Sequence, residues 1–134
     1  MKALTFFLSL LLGVQLTLAF DYQHPLKDDE AAIAYLLDEV EKSQGVFLRN
    51  GSEHSAKEAK EHLAHKMKMA RSMFWFFGPK KDISLQEFIE KIASQSSTSN
   101  KDYQIRLKSG ETVKTGDWLR SKILELRQAN QKTP

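Results

Sequence analysis

An apolar segment at the N-terminus sets how much of this chain can fold as a domain. Met1-Lys2 is followed by a run from Ala3 to Leu18 without a charged residue, and Thr17-x-Ala19 ends it with small residues at the two recognition positions of a signal peptidase. The run is shorter than the roughly 20 residues of a spanning helix. We predict a secretory signal peptide over residues 1–19 and no transmembrane segment after its cleavage; an uncleaved anchor is the alternative.

The predicted mature chain, residues 20–134, has the length of a single small domain. The absence of cysteine excludes disulfides, thiolate metal sites and cysteine nucleophiles, so the stability of the fold must come from its core. The 20 basic and 17 acidic residues are interspersed along the chain. Because nucleic-acid binding needs one-sided clustering of basic residues, we expect no nucleic-acid partner.

Hydrophobic periodicity predicts the first and last helices. Apolar residues recur at helical spacing from Ile33 to Val40, after acidic residues that favour a helix N-terminus, which predicts helix one over about 28–43. The same spacing predicts the last helix over about 117–128. The ordered part of the domain is therefore expected to cover about residues 28–128.

Two capping boxes mark the starts of the middle helices. In Ser55-x-x-Glu58 and Ser84-x-x-Glu87, the hydroxyl and the carboxylate accept hydrogen bonds from amides that the first helical turn leaves free. The first box predicts helix two, which should continue until Gly78, and the second predicts helix three.

Short β-prone runs predict the sheet. Residues 46–48 form such a run and are closed by the turn signal at 50–51. Residues 103–107 and 112–115 flank a turn at 109–110 and predict a hairpin. The predicted fold class is α+β, with about four helices packed on a short antiparallel sheet that contains a C-terminal β-hairpin.

Helix two carries a lysine on its apolar face. On a helical wheel Lys66 falls beside Leu63 and Ala70, and His62 lies at the edge of the same face. The lysine either extends along the apolar face to reach solvent or forms a polar pocket with His62, one turn away. Both interpretations stay open from the sequence.

A metal site is not expected on this helix. Glu58, His62 and His65 follow one another at i, i+4 and i+7, but they share a face only loosely, and no HExxH motif is present. We therefore expect neither a metal nor another cofactor.

A hydroxyl-rich loop follows helix three. Ser96 and Ser97 within it are candidates for a nucleophile or for phosphate binding, but no GxSxG or SxxK motif accompanies them, which favours a role in shaping the loop. Arg49 and Asn50, at the end of the first strand, offer an anion-binding guanidinium and a turn residue.

Aromatic residues are concentrated near the end of helix two. Phe74, Trp75, Phe76 and Phe77 are flanked by basic residues, a combination that suits a membrane surface or a protein partner. The alternative is that they fold back over the corner at Gly78.

An ordered set of short motifs runs from about residue 30 to residue 126. The motifs are Phe47-x-Arg49-Asn50-Gly51, Glu58-Ala59-x-x-His62-Leu63-x-x-Lys66, Phe88-Ile89-x-x-Ile92-Ala93-Ser94-x-Ser96-Ser97, Tyr103 and Trp118-Leu119. Together they resemble the YfeK-like family, small exported proteins of Gram-negative bacteria whose function is unknown. The pattern departs from that family at Ser99-Asn100 and Asp102 and in the aromatic stretch. The resemblance implies a periplasmic location but no activity.

The sequence leaves three classes of function open. The first is a non-catalytic binding or accessory protein, whose small polar pocket would suit a carboxylate or a phosphate. The second is an interaction module that uses residues 74–77 to contact an envelope component, and the third is a hydrolase that uses one of the loop serines. We expect a small anion or an envelope component as partner, and no enzyme activity. The residues predicted to form the pocket are Arg49, Asn50, His62, Lys66, Ser96 and Ser97.

Overall fold

The structure, a computed structural model, describes residues 19–73 and 82–133, without the side chain of Met73. In these residues four helices pack against a four-stranded antiparallel sheet whose last two strands form a hairpin, which confirms the predicted α+β fold. The predicted aromatic surface at residues 74–77, the predicted end of helix two and residues 1–18 of the predicted signal peptide lie outside the described residues.

Four helices form where periodicity and capping predicted them. Helix three begins as a short α-helix and continues directly as a π-helical segment, so we treat the two as one helix. None of the described helices combines the length and apolar character that a membrane span requires. The helices are α1 (Asp29–Lys42), α2 (Ala56–Met73), α3 (Leu85–Glu87, continued by the π-helical segment Phe88–Ala93) and α4 (Thr115–Gln131).

Both predicted capping boxes are confirmed. The amide of Ser55 donates to Glu58 Oε2 at 2.8 Å, and the amide of Glu58 donates to Ser55 Oγ at 3.2 Å. The equivalent bonds between Ser84 and Glu87 are both 3.1 Å. These bonds fix the first residues of α2 and α3, so the faces that each helix presents to the core follow from the sequence.

The four strands follow the order β2-β1-β3-β4, and every neighbouring pair is antiparallel. Asn50 and Gly51 both have positive φ, 49° and 78°, the geometry of the tight type I′ turn that joins the first two strands. β2 was not predicted, because its polar residues lack the alternation that marks a half-buried strand. The strands are β1 (Val46–Arg49), β2 (Ser52–His54), β3 (Gln104–Arg106) and β4 (Thr112–Lys114).

One hydrophobic core joins the sheet to all four helices. Phe47 and Ile105 are directly opposed in β1 and β3 and face the helices. The rings of Phe47 and Trp118 pack nearly perpendicular to each other, with their centroids 6.4 Å apart. The π-helical turn is wider than an α-turn, and four of its residues are buried. The most deeply buried large side chains are Phe88, Ile33, Leu36, Leu85, Ile89, Ile105, Leu119, Ile123 and Val40.

Asp29 connects the segment before α1 to α3. Its Oδ1 accepts a hydrogen bond from His24 Nε2 at 2.8 Å, and its Oδ2 accepts one from the amide of Leu85 at 2.9 Å. The His24 bond and then the Leu85 amide lower the pKa of Asp29, so the carboxylate stays charged. The segment that precedes α1 is thus held against the folded domain.

Gly116, in the first turn of α4, is required by a close approach to Ser94. A Cβ atom at this position would collide with Ser94 Oγ and lie 3.2 Å from Ser94 Cβ. We predict that Gly116→Ala lowers the free energy of unfolding by about 1–3 kcal/mol, because a buried contact becomes overpacked. Urea denaturation measures the change.

Ser94→Ala in the Gly116→Ala background serves as the control. Removal of the hydroxyl relieves the worst collision but also removes its hydrogen bond to the carbonyl of Ile89, so the reference is Ser94→Ala alone: Gly116→Ala should cost less stability in that background than in the wild type. A Gly116→Ala protein as stable as the wild type would contradict this account of the contact.

Candidate functional site

Three inward-facing side chains lie in one row at the end of the sheet. One step beyond the last residue pairs, the register sets Arg49 opposite Tyr103 and Tyr103 opposite Thr115. The amide of Thr115 donates to the carbonyl of Tyr103 at 2.9 Å, which holds this row together. Because side chains alternate along strands, the three share the face of Phe47 and Ile105, which packs on the helices.

A cavity of about 230 Å³ lies between this row and α2. One part of its wall is apolar and the other carries polar groups, a combination typical of ligand pockets. The sheet and the helix each contribute both kinds of residue. The cavity is lined by Phe47, Leu48, Arg49, His54, Glu58, Ala59, His62, Leu63, Tyr103 and Thr115.

Arg49 is a cation of this cavity that has no ion-pair partner among the described residues. Within the described part of the chain, no carboxylate forms an ion pair with its guanidinium and no acceptor receives its hydrogen bonds. Its charge acts on its neighbours, since it contributes to lowering the pKa of both His62 and Lys66. A partly buried guanidinium without an acceptor is suited to receive an anion.

Lys66 lies behind the cavity wall and caps the end of helix three. Its Nζ donates to the carbonyl of Ile92 at 2.6 Å, to that of Gln95 at 2.9 Å and to Tyr103 Oη at 3.2 Å. Three acceptors match the three donors of an ammonium group, and a cation is favourable beside the free carbonyls of a helix C-terminus. Burial, and then Arg49, lower the pKa of Lys66 to about 8, which leaves it mainly charged at neutral pH.

His62 belongs to the same hydrogen-bond network. Its Nε2 lies 3.2 Å from Tyr103 Oη. Burial first, and then the charge of Arg49, lower the pKa of His62 to about 4, so the ring is neutral at neutral pH. Since the ammonium of Lys66 can only donate, the Tyr103 hydroxyl keeps its own proton to donate to His62 or into the cavity.

Two buried polar atoms on the cavity wall have no hydrogen-bond partner among the described residues. They are the hydroxyl of Thr115, a residue that is only 1% exposed, and Nε2 of His54. Burying a polar group without a partner costs about 1–3 kcal/mol, so such groups are usually satisfied by water or by a ligand. Both atoms could form hydrogen bonds with a polar ligand or with water in the cavity.

Two of the six predicted site residues, Asn50 and Ser96, belong to a different cluster. Asn50 Nδ2 donates to Ser96 Oγ at 3.2 Å, and Ser99 Oγ donates to Asn50 Oδ1 at 2.6 Å, so these side chains join the β1–β2 turn to the loop after helix three. Ser97 is exposed. In residues 19–73 and 82–133 no hydrogen bond joins either predicted serine to His62 or Lys66. The structure therefore brings Arg49, His62 and Lys66 together around Tyr103, and a ligand-binding role for all six stays a prediction.

Three polar residues on the cavity wall, His54, Tyr103 and Thr115, were not among the predicted site residues. The alternation of Tyr103 with Ile105, and of Val113 with Thr115, was a usable signal, because it places both polar residues on the inner face. His54 gave no such signal, since β2 itself was not predicted.

The residues considered for a metal do not converge. Among the side chains that the structure describes, no three His, Asp or Glu side chains are grouped closely enough to hold an ion. His65 is exposed, whereas His62 lines the cavity.

Comparison with known proteins finds one family. The match is to a "Family of unknown function (DUF5329)" and covers residues 27–127. No curated protein and no solved structure matches the chain.

We predict that Lys66→Met destabilises the protein by roughly 1.5–3 kcal/mol, because two carbonyl groups at the end of helix three lose a charged donor. Urea denaturation checks this. Lys57→Met, on an exposed position of the same helix, is the matched control and should change stability by less than about 0.5 kcal/mol. Greater stability of Lys66→Met would show instead that the lysine is a packing compromise.

We predict that His62 makes the protein less stable as the pH is lowered. His62 takes up a proton near pH 6.5 in the unfolded chain but only near pH 4 in the folded protein. Its contribution to the free energy of unfolding is therefore complete above pH 6.5 and is lost as the pH falls towards 4. Between pH 7 and pH 4.5 the wild type should lose about 1–2 kcal/mol more than His62→Gln, allowing for solvent screening.

Urea denaturation of both proteins at the two pH values gives this difference. His65→Gln, an exposed histidine on the same helix, should behave like the wild type. Equal losses in the wild type and in His62→Gln would contradict a neutral, buried His62.

Proposed function

The chain belongs to the DUF5329 family, a family of unknown function. We propose that the protein binds a small anionic ligand in its cavity, where Arg49 has no acid partner among the described residues. The ligand would lie between the end of the sheet and α2, with its negative group on Arg49. The single observation that carries the proposal is the guanidinium of Arg49, which lines the cavity without an acid partner in the described residues.

The remaining donors of the cavity support an anion. The unpartnered hydroxyl of Thr115 lines it, and Tyr103 keeps a proton that it can donate inward. Thr115 is also the first residue of α4, whose N-terminus has no side-chain cap. The positive end of the helix dipole at this wall favours negative charge, so guanidinium, hydroxyl groups and dipole act in the same direction.

We favour binding over catalysis. A serine hydrolase needs a base within hydrogen-bond reach of its nucleophile. The Ser96 hydroxyl instead forms hydrogen bonds with Asn50 and Thr98. Lys66 donates its hydrogen bonds to two carbonyl groups and to Tyr103. None of these contacts places a base beside the Ser96 hydroxyl.

We also propose that the protein acts in the periplasm of a Gram-negative bacterium. The proposal is supported by the signal-like residues 1–19 and by the likeness of the motifs to the YfeK-like family. An envelope contact through residues 74–77 stays a prediction, because those residues lie outside the described part of the chain.

The test is anion binding to Arg49→Met. We expect at least one small carboxylate or phosphate to raise the thermal midpoint of the wild type, since a ligand at 100 times its Kd adds about 2.7 kcal/mol of stability. Arg49→Met, which keeps much of the side-chain volume, should bind the same anion at least tenfold more weakly by calorimetry.

Arg106→Met is the matched control, because Arg106 lies on the neighbouring strand, pairs with Glu53 at 2.9 Å and does not line the cavity. Its affinity should equal that of the wild type. The proposal fails if no anion binds, or if Arg49→Met and Arg106→Met bind equally well.

A further inference from the structure

We propose that the ligand is a small monocarboxylic acid with an apolar body, and that Glu58 excludes anions carrying two negative charges. This inference rests on the proposed function, because it concerns the same cavity. It narrows the ligand from any small anion to one chemical class and gives Glu58 the role of a specificity-determining residue.

The cavity offers one permanent positive charge. Arg49 is the only lysine or arginine among its lining residues within the described part of the chain. The ammonium of Lys66 lies behind Tyr103 and is held by three protein acceptors. His62 is neutral at neutral pH, since burial lowers its pKa to about 4. One anionic group of a ligand can therefore pair directly with Arg49, and the described lining offers no second lysine or arginine for another.

Glu58 adds a negative charge to the same wall. Its Oε2 accepts the hydrogen bond from the amide of Ser55 at 2.8 Å, and that bond lowers the pKa of Glu58, so the carboxylate is ionised. The side chain of Glu58 is 61% exposed, so solvent screens part of this charge, and the capping bond holds the carboxylate at the solvent-facing side of the cavity. A like charge disfavours a second anionic group on a ligand. Phosphate monoesters, with a charge of about −1.5 to −2 at pH 7, meet the same repulsion.

The rest of the wall suits an apolar body. Phe47, Ala59 and Leu63 line the cavity and belong to the hydrophobic core. A volume of about 230 Å³ lies below the usual range of about 300–1,000 Å³ for ligand pockets, which indicates a short ligand. The planar fork of Arg49 matches the two oxygens of a carboxylate, and the Thr115 hydroxyl is a further donor.

Butyrate and succinate test the inference directly, because they share a four-carbon chain and differ by one carboxylate. In NMR titrations the wild type should bind butyrate at least tenfold tighter than succinate or inorganic phosphate. Methyl butyrate, which has no charge, should not bind.

Glu58→Gln is the informative variant, since glutamine also serves at this position of a capping box and keeps the start of α2. Glu58→Gln should bind succinate more tightly than the wild type does. Its affinity for butyrate should then exceed its affinity for succinate threefold or less. Glu61→Gln, an exposed carboxylate on the same helix outside the cavity lining, should keep the ratio of the wild type.

The outcomes separate the two proposals. Succinate or phosphate binding as tightly as butyrate, and losing affinity in Arg49→Met, would overturn the monocarboxylate class and leave anion binding intact. An unchanged ratio in Glu58→Gln would overturn the role of that residue. Absence of binding by all three anions, with none of a wider panel binding either, would overturn both proposals.

Discussion

The arrangement of the cavity depends on the hydrogen bonds that the ammonium group of Lys66 donates. This group joins α2 to two carbonyl groups at the end of helix three and to the Tyr103 hydroxyl beside β3. Three elements distant in sequence are thus held by one charge. A lysine is tolerated on an apolar helix face here because its three donors meet three acceptors, which offsets much of the cost of burying the charge.

The character of the cavity follows from that contact. Because Lys66 is engaged behind the wall, the positive charge available to a ligand comes from Arg49. The lysine also keeps the Tyr103 hydroxyl as a donor, and Tyr103 connects it to His62 on the cavity wall. Thr115 lies beside Tyr103 in the same row of the sheet. The result is a small, half-apolar cavity with donors at one end and the carboxylate of Glu58 in its lining.

Local signals predicted most of the architecture. The two capping boxes need only residues three apart, and the C-terminal hairpin needs only alternation and a turn, so both could be found without tertiary information. The polar strand β2 was missed, because its pairing with β1 rather than its own residues makes it a strand. The early start of α4 was missed too, because the side chain of its N-cap residue, Lys114, makes no capping hydrogen bond. The π-helical turn was also not predicted, since over six residues its periodicity hardly differs from that of an α-helix.

The sequence by itself determined the fold class, the starts of the first three helices and three of the residues now found around Tyr103, because periodicity and capping act over a few positions. Only the tertiary structure decided their roles. Arg49 has no acid partner among the described residues, and Lys66 lies behind the cavity wall. Asn50 and Ser96 contact each other at the loop after helix three, whereas His54 and Thr115 line the cavity. The physical reason is that charge pairing and burial depend on which distant elements meet, and strand register and helix packing decide that.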